Sequence, residues 1–182
     1  MRLFVALDIA EEVRSRLGAL LNELRRSNPD VKWVKPESLH VTLKFLGEQP
    51  ESKFQHISEA LGAIRPPGRF EMTLRGLGCF PNERRPRVFW VGVEAPPQLG
   101  ELAASVDEAM ARLGIEREKR PFSPHLTLGR AREGGPPPAP GPLWTRHLAD
   151  DFGATAGNEF FLYQSKLSPA GSQYTRLRAF PL

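Results

Sequence analysis

Two nine-residue stretches decide how this chain folds, KPESLHVTL at residues 35–43 and RPFSPHLTL at residues 120–128. Five of the nine positions are identical, and two more pair Lys with Arg and Val with Leu. The chain has only four histidines, so two of them in matched contexts indicate two related halves. At an offset of 85 residues, the match aligns His40 with His125 and Thr42 with Thr127.

Each stretch is typical of a β-strand with two unlike faces. Side chains alternate along a strand, so the His and the Thr two residues later share one face, while the Val or Leu residues between them share the other. If the halves are related by an approximate two-fold axis, the two strands bring both His-Thr pairs to one cleft. The sequence therefore predicts a cleft with two imidazoles and two hydroxyls above an apolar core.

The segments around these strands predict an α+β fold, with two pseudo-symmetric antiparallel sheets flanked by helices around a central cleft. We expect residues 1–182 to form a single bilobal domain, with the Gly- and Pro-rich run 134–142 as a surface loop. The predicted strands are 3–7, 31–34, 40–46, 70–77, 88–93, 125–128, 159–167 and 174–180, and the predicted helices are 11–26, 51–64, 97–113 and 143–149.

Composition limits the class of protein. Hydrophobic residues make up 40% and charged residues 25% of the chain, which is ordinary for a globular protein. The apolar run at residues 3–6 ends at Asp8, too short for a signal peptide, and no window approaches a membrane helix. The single cysteine, Cys79, excludes an internal disulfide. We expect a cytoplasmic monomer that does not bind membranes, and the net charge of +4 suits a polyanion such as RNA.

The paired His-Thr motifs suit phosphoryl chemistry without a metal. One neutral imidazole can take a proton from an attacking water while a protonated imidazole gives one to the leaving oxygen, since the ordinary histidine pKa is about 6.5. The two threonine hydroxyls can donate to non-bridging phosphate oxygens. No His-Glu-x-x-His motif, cysteine pair or phosphate-cradling Gly-rich loop occurs, so we expect neither a metal nor another cofactor.

With these two His-x-Thr motifs, the sequence resembles the RNA 2′,3′-cyclic phosphodiesterases, also called 2′-5′ RNA ligases, of the 2H phosphoesterase superfamily. The resemblance also covers residues 2–8 and the tail from Ser165 to Leu182. It implies a bilobal hydrolase that opens a 2′,3′-cyclic phosphate to a 2′-phosphomonoester, with reversible 2′-5′ ligation as a side activity. It also implies that RNA with a cyclic phosphate end, tRNA fragments among them, is the substrate. The catalytic and phosphate-holding positions map onto His40, Thr42, His125 and Thr127.

Two further residues match family positions. Arg130 matches an arginine that contacts the phosphate, and Phe45 matches an aromatic residue that stacks on the terminal base. Strict alternation of side chains contradicts both of these roles, because it places Arg130 with Leu128 and Phe45 with Leu43 on the core faces. The sequence therefore leaves open whether the strands bend enough to bring these two side chains to the cleft.

Other functions remain open at this stage. The same residues could serve a cyclic phosphodiesterase acting on a small nucleotide, or the chain could be a non-catalytic RNA-binding module. Two basic clusters, residues 84–87 and 117–120, could guide an RNA backbone. Positive charge near the second motif favours a neutral imidazole there, so we expect His125 to be the base and His40 the acid. Lys44, placed by alternation on the His40 face, weakens that preference.

Overall fold

Strands dominate the computed structural model, which describes residues 1–169 and 171–182. Its strands are β1 (Arg2–Leu7), β2 (Val31–Trp33), β3 (Val41–Glu48), β4 (Phe70–Phe80), β5 (Val88–Glu94), β6 (His125–Ala131), β7 (Asp151–Gly157), β8 (Glu159–Ser168) and β9 (Gly171–Pro181). Its α-helices are α1 (Glu11–Ser27), α2 (Phe54–Gly62), α3 (Pro97–Arg112) and α4 (Gly141–Arg146), and 3₁₀ turns span Pro36–Ser38 and Glu51–Lys53.

The strands form two antiparallel sheets. One sheet has the order β3-β1-β8-β9 and the other β2-β6-β5-β4-β7. Each motif strand therefore pairs with the first strand of its own half, β3 with β1 and β6 with β5. The predicted α+β fold with two antiparallel sheets is confirmed.

The helices tie the two sheets together. Helix α1 follows β1 in the chain but packs on β2 and β7 of the other sheet, whereas α3 follows β5 and packs on β3. Helix α1 buries the apolar stripe that its spacing predicts, which begins at Val13 and ends at Leu24. One continuous apolar cluster includes residues of both sheets and the helices. Because α1 and α3 each pack on the sheet of the other half, β3 and β6 are held in contact where the two sheets meet.

Several element boundaries differ from the sequence predictions. Strand β7 is not among the strands predicted from the sequence. Its seven residues carry only one bulky apolar side chain, Phe152, and two glycines, so the sequence shows no strand pattern there. It is stabilised by its pairing with β4 along nearly its whole length. The predicted helix 51–64 divides into a 3₁₀ turn and α2, and α4 begins two residues earlier and ends three residues earlier than predicted. No helix of the described part is long and apolar enough to cross a membrane.

Candidate active site

The two motif strands meet at a cleft of about 410 Å³ between the sheets. Its wall includes His40 and Thr42 from the first motif and Thr127 from the second. His125 is not among the described residues that line this cavity. It precedes Thr127 by two residues on the same strand, so the two side chains share one face. Both histidines are half-buried. The structure thus brings together the predicted His-Thr pairs of the two halves.

A β-bulge follows each His-x-Thr motif at the equivalent residue. In β3, Ala6 of β1 faces Thr42 and Val5 faces Lys44, so Leu43 is the extra residue. In β6, the neighbouring strand leaves Leu128 extra in the same way, between Thr127 and Gly129. Leu128 follows Leu43 by the same 85 residues that separate the histidines. The internal symmetry therefore includes the backbone irregularity.

The bulges bring Phe45 and Arg130 into the cleft. An extra residue shifts the alternation by one position, so each of these side chains moves to the face of the preceding threonine. Both line the cleft, and the Phe45 ring is 56% exposed. The placement of these two residues on the core faces by strict alternation is therefore wrong. They occupy equivalent positions, with an aromatic ring in one half and a guanidinium in the other.

Both catalytic candidates have the same tautomer. The Nδ1 atom of His40 lies 2.8 Å from the carbonyl oxygen of Ser38, and Nδ1 of His125 lies 2.7 Å from that of Ser123. A carbonyl oxygen can only accept, so Nδ1 carries the hydrogen and donates it in both rings. Each Nε2 is then free to act, as an acceptor when the ring is neutral and as a donor when it is charged.

The surroundings of the two imidazoles differ. The His40 ring lies against Phe4 at 4.7 Å and Tyr174 at 5.2 Å between ring centroids, and only part of it reaches the cleft. Burial lowers the pKa of His40 from 6.5 to about 4, and the Arg14 guanidinium adds to this, against the opposing effects of the Ser38 carbonyl and Asp8. His125 contacts the Phe80 ring edge to face at 5.1 Å. His40 is therefore neutral at pH 7 in the free protein.

The lowered pKa predicts an acid-sensitive stability. The unfolded chain protonates His40 as the pH falls through 6.5, but the folded protein protonates it only near 4. This contribution to the free energy of unfolding is complete above pH 6.5 and is lost between 6.5 and about 4, by at most about 3 kcal/mol. In urea unfolding at both ends of this window, His40→Gln should lose less stability on acidification than the wild type. The exposed-histidine variant His56→Gln should match the wild type. Equal losses in all three proteins would contradict the burial effect.

A charged network fixes the segment before His40. Arg14 of α1 donates to the carbonyl oxygen of Pro36 at 2.7 Å and to the Asp8 carboxylate at 2.5 Å. Asp8 also accepts a hydrogen bond from Arg176 of β9, whose guanidinium lies over the Phe161 ring. The 3₁₀ turn that carries Ser38 is thus anchored to α1 and, through Asp8, to β9. Sequence reasoning missed this network, because no local pattern relates residues so far apart in the chain.

Lys44 does not face His40, contrary to the sequence expectation. It lies at the first bulge and is 2% exposed. Its ammonium group donates to Asp107 at 2.6 Å and to the carbonyl oxygen of Glu116 at 2.8 Å. Lys44 therefore attaches β3 to the end of α3 and does not contribute its charge to the cleft.

The other two histidines and the second basic cluster do not take part in the cleft lining among the described residues. His56 is exposed, and His147 is paired with Asp150 at 2.6 Å. In the second basic cluster, Arg117 pairs with Asp107 and Glu108, and Lys119 pairs with Glu116, so much of its charge is neutralised. Tyr174 lines the cleft although no sequence motif marks it.

Comparisons with known proteins agree with the duplicated geometry. The chain matches the family of LigT-like phosphoesterases twice, over residues 7–90 and again over residues 91–171. A relative from Archaeoglobus fulgidus named RNA 2′,3′-cyclic phosphodiesterase is 40% identical, with 99% of each chain covered. A relative of the same name from Methanothermobacter thermautotrophicus is 35% identical and covers 100% of this chain and 99% of its own.

Solved structures show the same fold. The protein TT0787 of Thermus thermophilus superposes with a TM-score of 0.81 at 36% identity, covering 100% of this chain and 98% of its own. Escherichia coli LigT, crystallised with 3′-AMP, gives a TM-score of 0.77 at 32% identity, with 100% and 97% coverage. Both likenesses extend over the full length of the described fold.

Proposed function

Because the chain belongs to the LigT-like phosphoesterase family, we propose that it hydrolyses the 2′,3′-cyclic phosphate end of RNA to a 2′-phosphomonoester. It is an enzyme, a phosphodiesterase, and its full-length relatives carry that activity in their names. The observation that carries the proposal is the pair of His-x-Thr strands with matched tautomers on either side of one cleft. Reversible 2′-5′ ligation stays a prediction from the family resemblance.

The two histidines supply the proton transfers. Water attacks phosphorus opposite the 3′-oxygen, the new P–O bond forms, and the bond from phosphorus to the 3′-oxygen breaks. Nε2 of one neutral imidazole takes the proton of the water, and Nε2–H of the other gives its proton to the 3′-oxygen. The product has a 2′-phosphate and a free 3′-hydroxyl. The fixed Nδ1–H bonds to Ser38 and Ser123 aim both Nε2 atoms without a metal ion.

Three donors hold the phosphate. The hydroxyls of Thr42 and Thr127 lie on the cleft wall, and the Arg130 guanidinium adds charge and a bidentate geometry that suits a phosphate. Because the phosphate is anionic before and during ring opening, these donors position it and stabilise its charge. The exposed Phe45 ring offers a face on which the terminal base can stack.

The acid and base roles follow from the orientation of the nucleotide. The sequence favours His125 as the base and His40 as the acid. Since burial lowers the pKa of His40 to about 4, His40 acts as the acid only if the bound phosphate raises that pKa by its negative charge. A substrate with sulfur in place of the 3′-oxygen separates the two assignments.

A pH profile in chelator tests the proposed function. We expect cyclic mononucleotides and RNA with cyclic ends to be hydrolysed at full rate in EDTA, with a bell-shaped dependence of kcat on pH. The rate falls on the acid side when the base becomes protonated, and on the alkaline side when the acid loses its proton. Activity that disappears in EDTA and returns with a divalent ion would overturn the two-histidine chemistry.

Two alternatives make different predictions in the same assay. A phosphodiesterase for small nucleotides would have a kcat/KM for a cyclic mononucleotide at least as high as for an oligomer with a cyclic end, and a binding module would turn over neither. We also propose that residues 1–182 form a single bilobal domain, since one apolar core spans both sheets. A monomeric state and a cytoplasmic location stay predictions, which sedimentation and cell fractionation would test.

A further inference from the structure

A second groove continues from the catalytic cleft. Its volume is about 540 Å³, and it shares with the cleft the residues Val34, Ser38, Arg130, Ser172 and Tyr174. Among the described residues of its wall there is no Asp or Glu side chain. We call it the basic groove, after the five cations that line it: Arg25, Lys32, Lys35, Arg130 and Arg132.

The cations of the basic groove differ from the other cations of the fold in their pairing. In the described ranges, none of the five lies within 4.0 Å of a carboxylate oxygen. Other cations of the fold are paired, such as Arg75 with Asp151 and Arg117 with Glu108. Arg25 and Arg132 donate to uncharged oxygens, including the carbonyls of Val34 and Pro29. The positive charge of the groove is therefore not neutralised by the part of the protein that the structure describes.

The sheet register places two of these cations directly opposite each other. Lys32 of β2 faces Arg130 of β6 across the antiparallel pair. Like charges at directly opposed positions destabilise a strand pair. An anion bound between them would reverse that effect. This juxtaposition lies where the basic groove joins the catalytic cleft, since Arg130 lines both.

We propose that the basic groove binds the phosphodiester backbone of the RNA on the 5′ side of the cyclic nucleotide. The inference rests on the proposed function and makes an oligonucleotide, rather than a mononucleotide, the preferred substrate. A cyclic phosphate occupies the 3′ end of its strand, so the strand can leave the cleft only in its 5′ direction. The basic groove starts at the cleft, and among the described residues its cations have no carboxylate partner, so it matches that geometry.

The basic cluster at residues 84–87, which the sequence analysis named as a possible guide for RNA, does not offer such a path. Arg85 and Arg87 line a separate cavity with the Pro-rich loop, and among the described residues that cavity shares none of its lining with the catalytic cleft. The structure therefore favours the basic groove over the cluster at residues 84–87 as the route of the strand.

Matched variants test the groove. The groove variant is Lys32→Gln/Arg132→Gln. The control variant is Arg65→Gln/Arg69→Gln, which removes the same amount of charge. Arg65 and Arg69 precede the first residue of β4, whereas Phe80, which contacts His125, is its last residue. Each protein is assayed in EDTA with cyclic CMP and with an octanucleotide that ends in the same cyclic nucleotide, over a series of salt concentrations. Circular dichroism verifies that each variant is folded.

We expect the wild type to prefer the octanucleotide by about tenfold or more in kcat/KM at low salt, and this preference should shrink as salt rises. The groove variant should lower kcat/KM for the octanucleotide by about tenfold and reduce the slope of log kcat/KM against log salt by about 1.4, or roughly 0.7 for each lost phosphate contact. Its activity on cyclic CMP should stay within about twofold of the wild type, because Lys32 and Arg132 are not among the described residues that line the catalytic cleft. The control variant should match the wild type on both substrates.

Three results would overturn the inference: no preference for the octanucleotide, equal losses on both substrates in the groove variant, or an equal loss in the control variant. A failure of the proposed function is distinguishable from these. It would show as no turnover of either substrate by the wild type. In that case, fluorescence anisotropy with an octanucleotide ending in a 2′-phosphate still tests the groove, and equal affinities for wild type and groove variant would overturn the inference.

Discussion

Replacing either His40 or His125 by Ala is expected to lower kcat on a cyclic mononucleotide by about 10²- to 10⁴-fold, because each ring carries one of the two proton transfers. The double variant should lose less than the product of the two single effects, since one histidine alone cannot complete the relay. His40→Gln serves as a second variant, because the larger glutamine side chain occupies more of the space between the aromatic rings than alanine does. Steady-state kinetics in EDTA measure the effects.

His56→Ala is the matched control, because His56 is exposed on α2 and lies outside the cleft. It should retain full activity. Full activity of His40→Ala or His125→Ala in a folded protein would contradict the paired mechanism.

A substrate with sulfur in place of the 3′-oxygen assigns the two roles. A thiolate leaves with little protonation, so this substrate restores activity to the variant that lacks the acid but not to the variant that lacks the base. With His40 as the acid, rescue should be far greater for His40→Ala than for His125→Ala. The opposite pattern reverses the assignment and leaves the two-histidine chemistry intact.

Arg130→Ala is expected to lower kcat/KM for a cyclic mononucleotide by about 10- to 10²-fold, because hydrogen bonds from a charged donor contribute about 1.5–3 kcal/mol. Arg130→Lys should recover only part of this loss, since an ammonium keeps the charge but lacks the bidentate fork. A mononucleotide is used so that contacts in the basic groove do not contribute.

Arg69→Ala is the control for this pair, since it removes an exposed guanidinium before β4 at a site that does not line the cleft. If Arg130→Ala kept the wild-type kcat/KM, the bulge in β6 would not deliver a phosphate ligand. That result would leave the roles of the histidines unaffected.

The central part of the site could be predicted from the sequence because it depends on a strict alternation over three residues. His40 and Thr42 are two residues apart, as are His125 and Thr127, and the bulges come only after the threonines. The repeat supplied the remaining information, since it related two strands that lie far apart in the chain.

The positions of Phe45 and Arg130 could not be predicted by counting along a strand. Alternation assumes an unbroken ladder of hydrogen bonds, and one extra residue between each threonine and the Phe45 or Arg130 that follows it reverses the alternation. Leu43, the extra residue between Thr42 and Phe45, carries no sequence signal for a bulge. The equal offset between Phe45 and Arg130 is visible in the sequence, but it becomes informative only when the two bulges are known.

The environment of the imidazoles also lay beyond the sequence. The rings around His40 come from Phe4, Tyr163 and Tyr174, on strands from both ends of the chain. Their packing lowers the pKa of His40, and no local pattern reports it. The same holds for the basic groove, whose cations become neighbours only when β2 pairs with β6.

Identification of the product tests the central claim most directly. An oligonucleotide with a 2′,3′-cyclic phosphate end is incubated with the protein in EDTA and ¹⁸O-labelled water, and the product is analysed by ³¹P NMR and mass spectrometry. We predict a single 2′-phosphomonoester that carries one ¹⁸O atom, formed at the same rate with and without EDTA. A 3′-phosphomonoester, or a cyclic end that stays intact unless a divalent ion is added, would contradict the account.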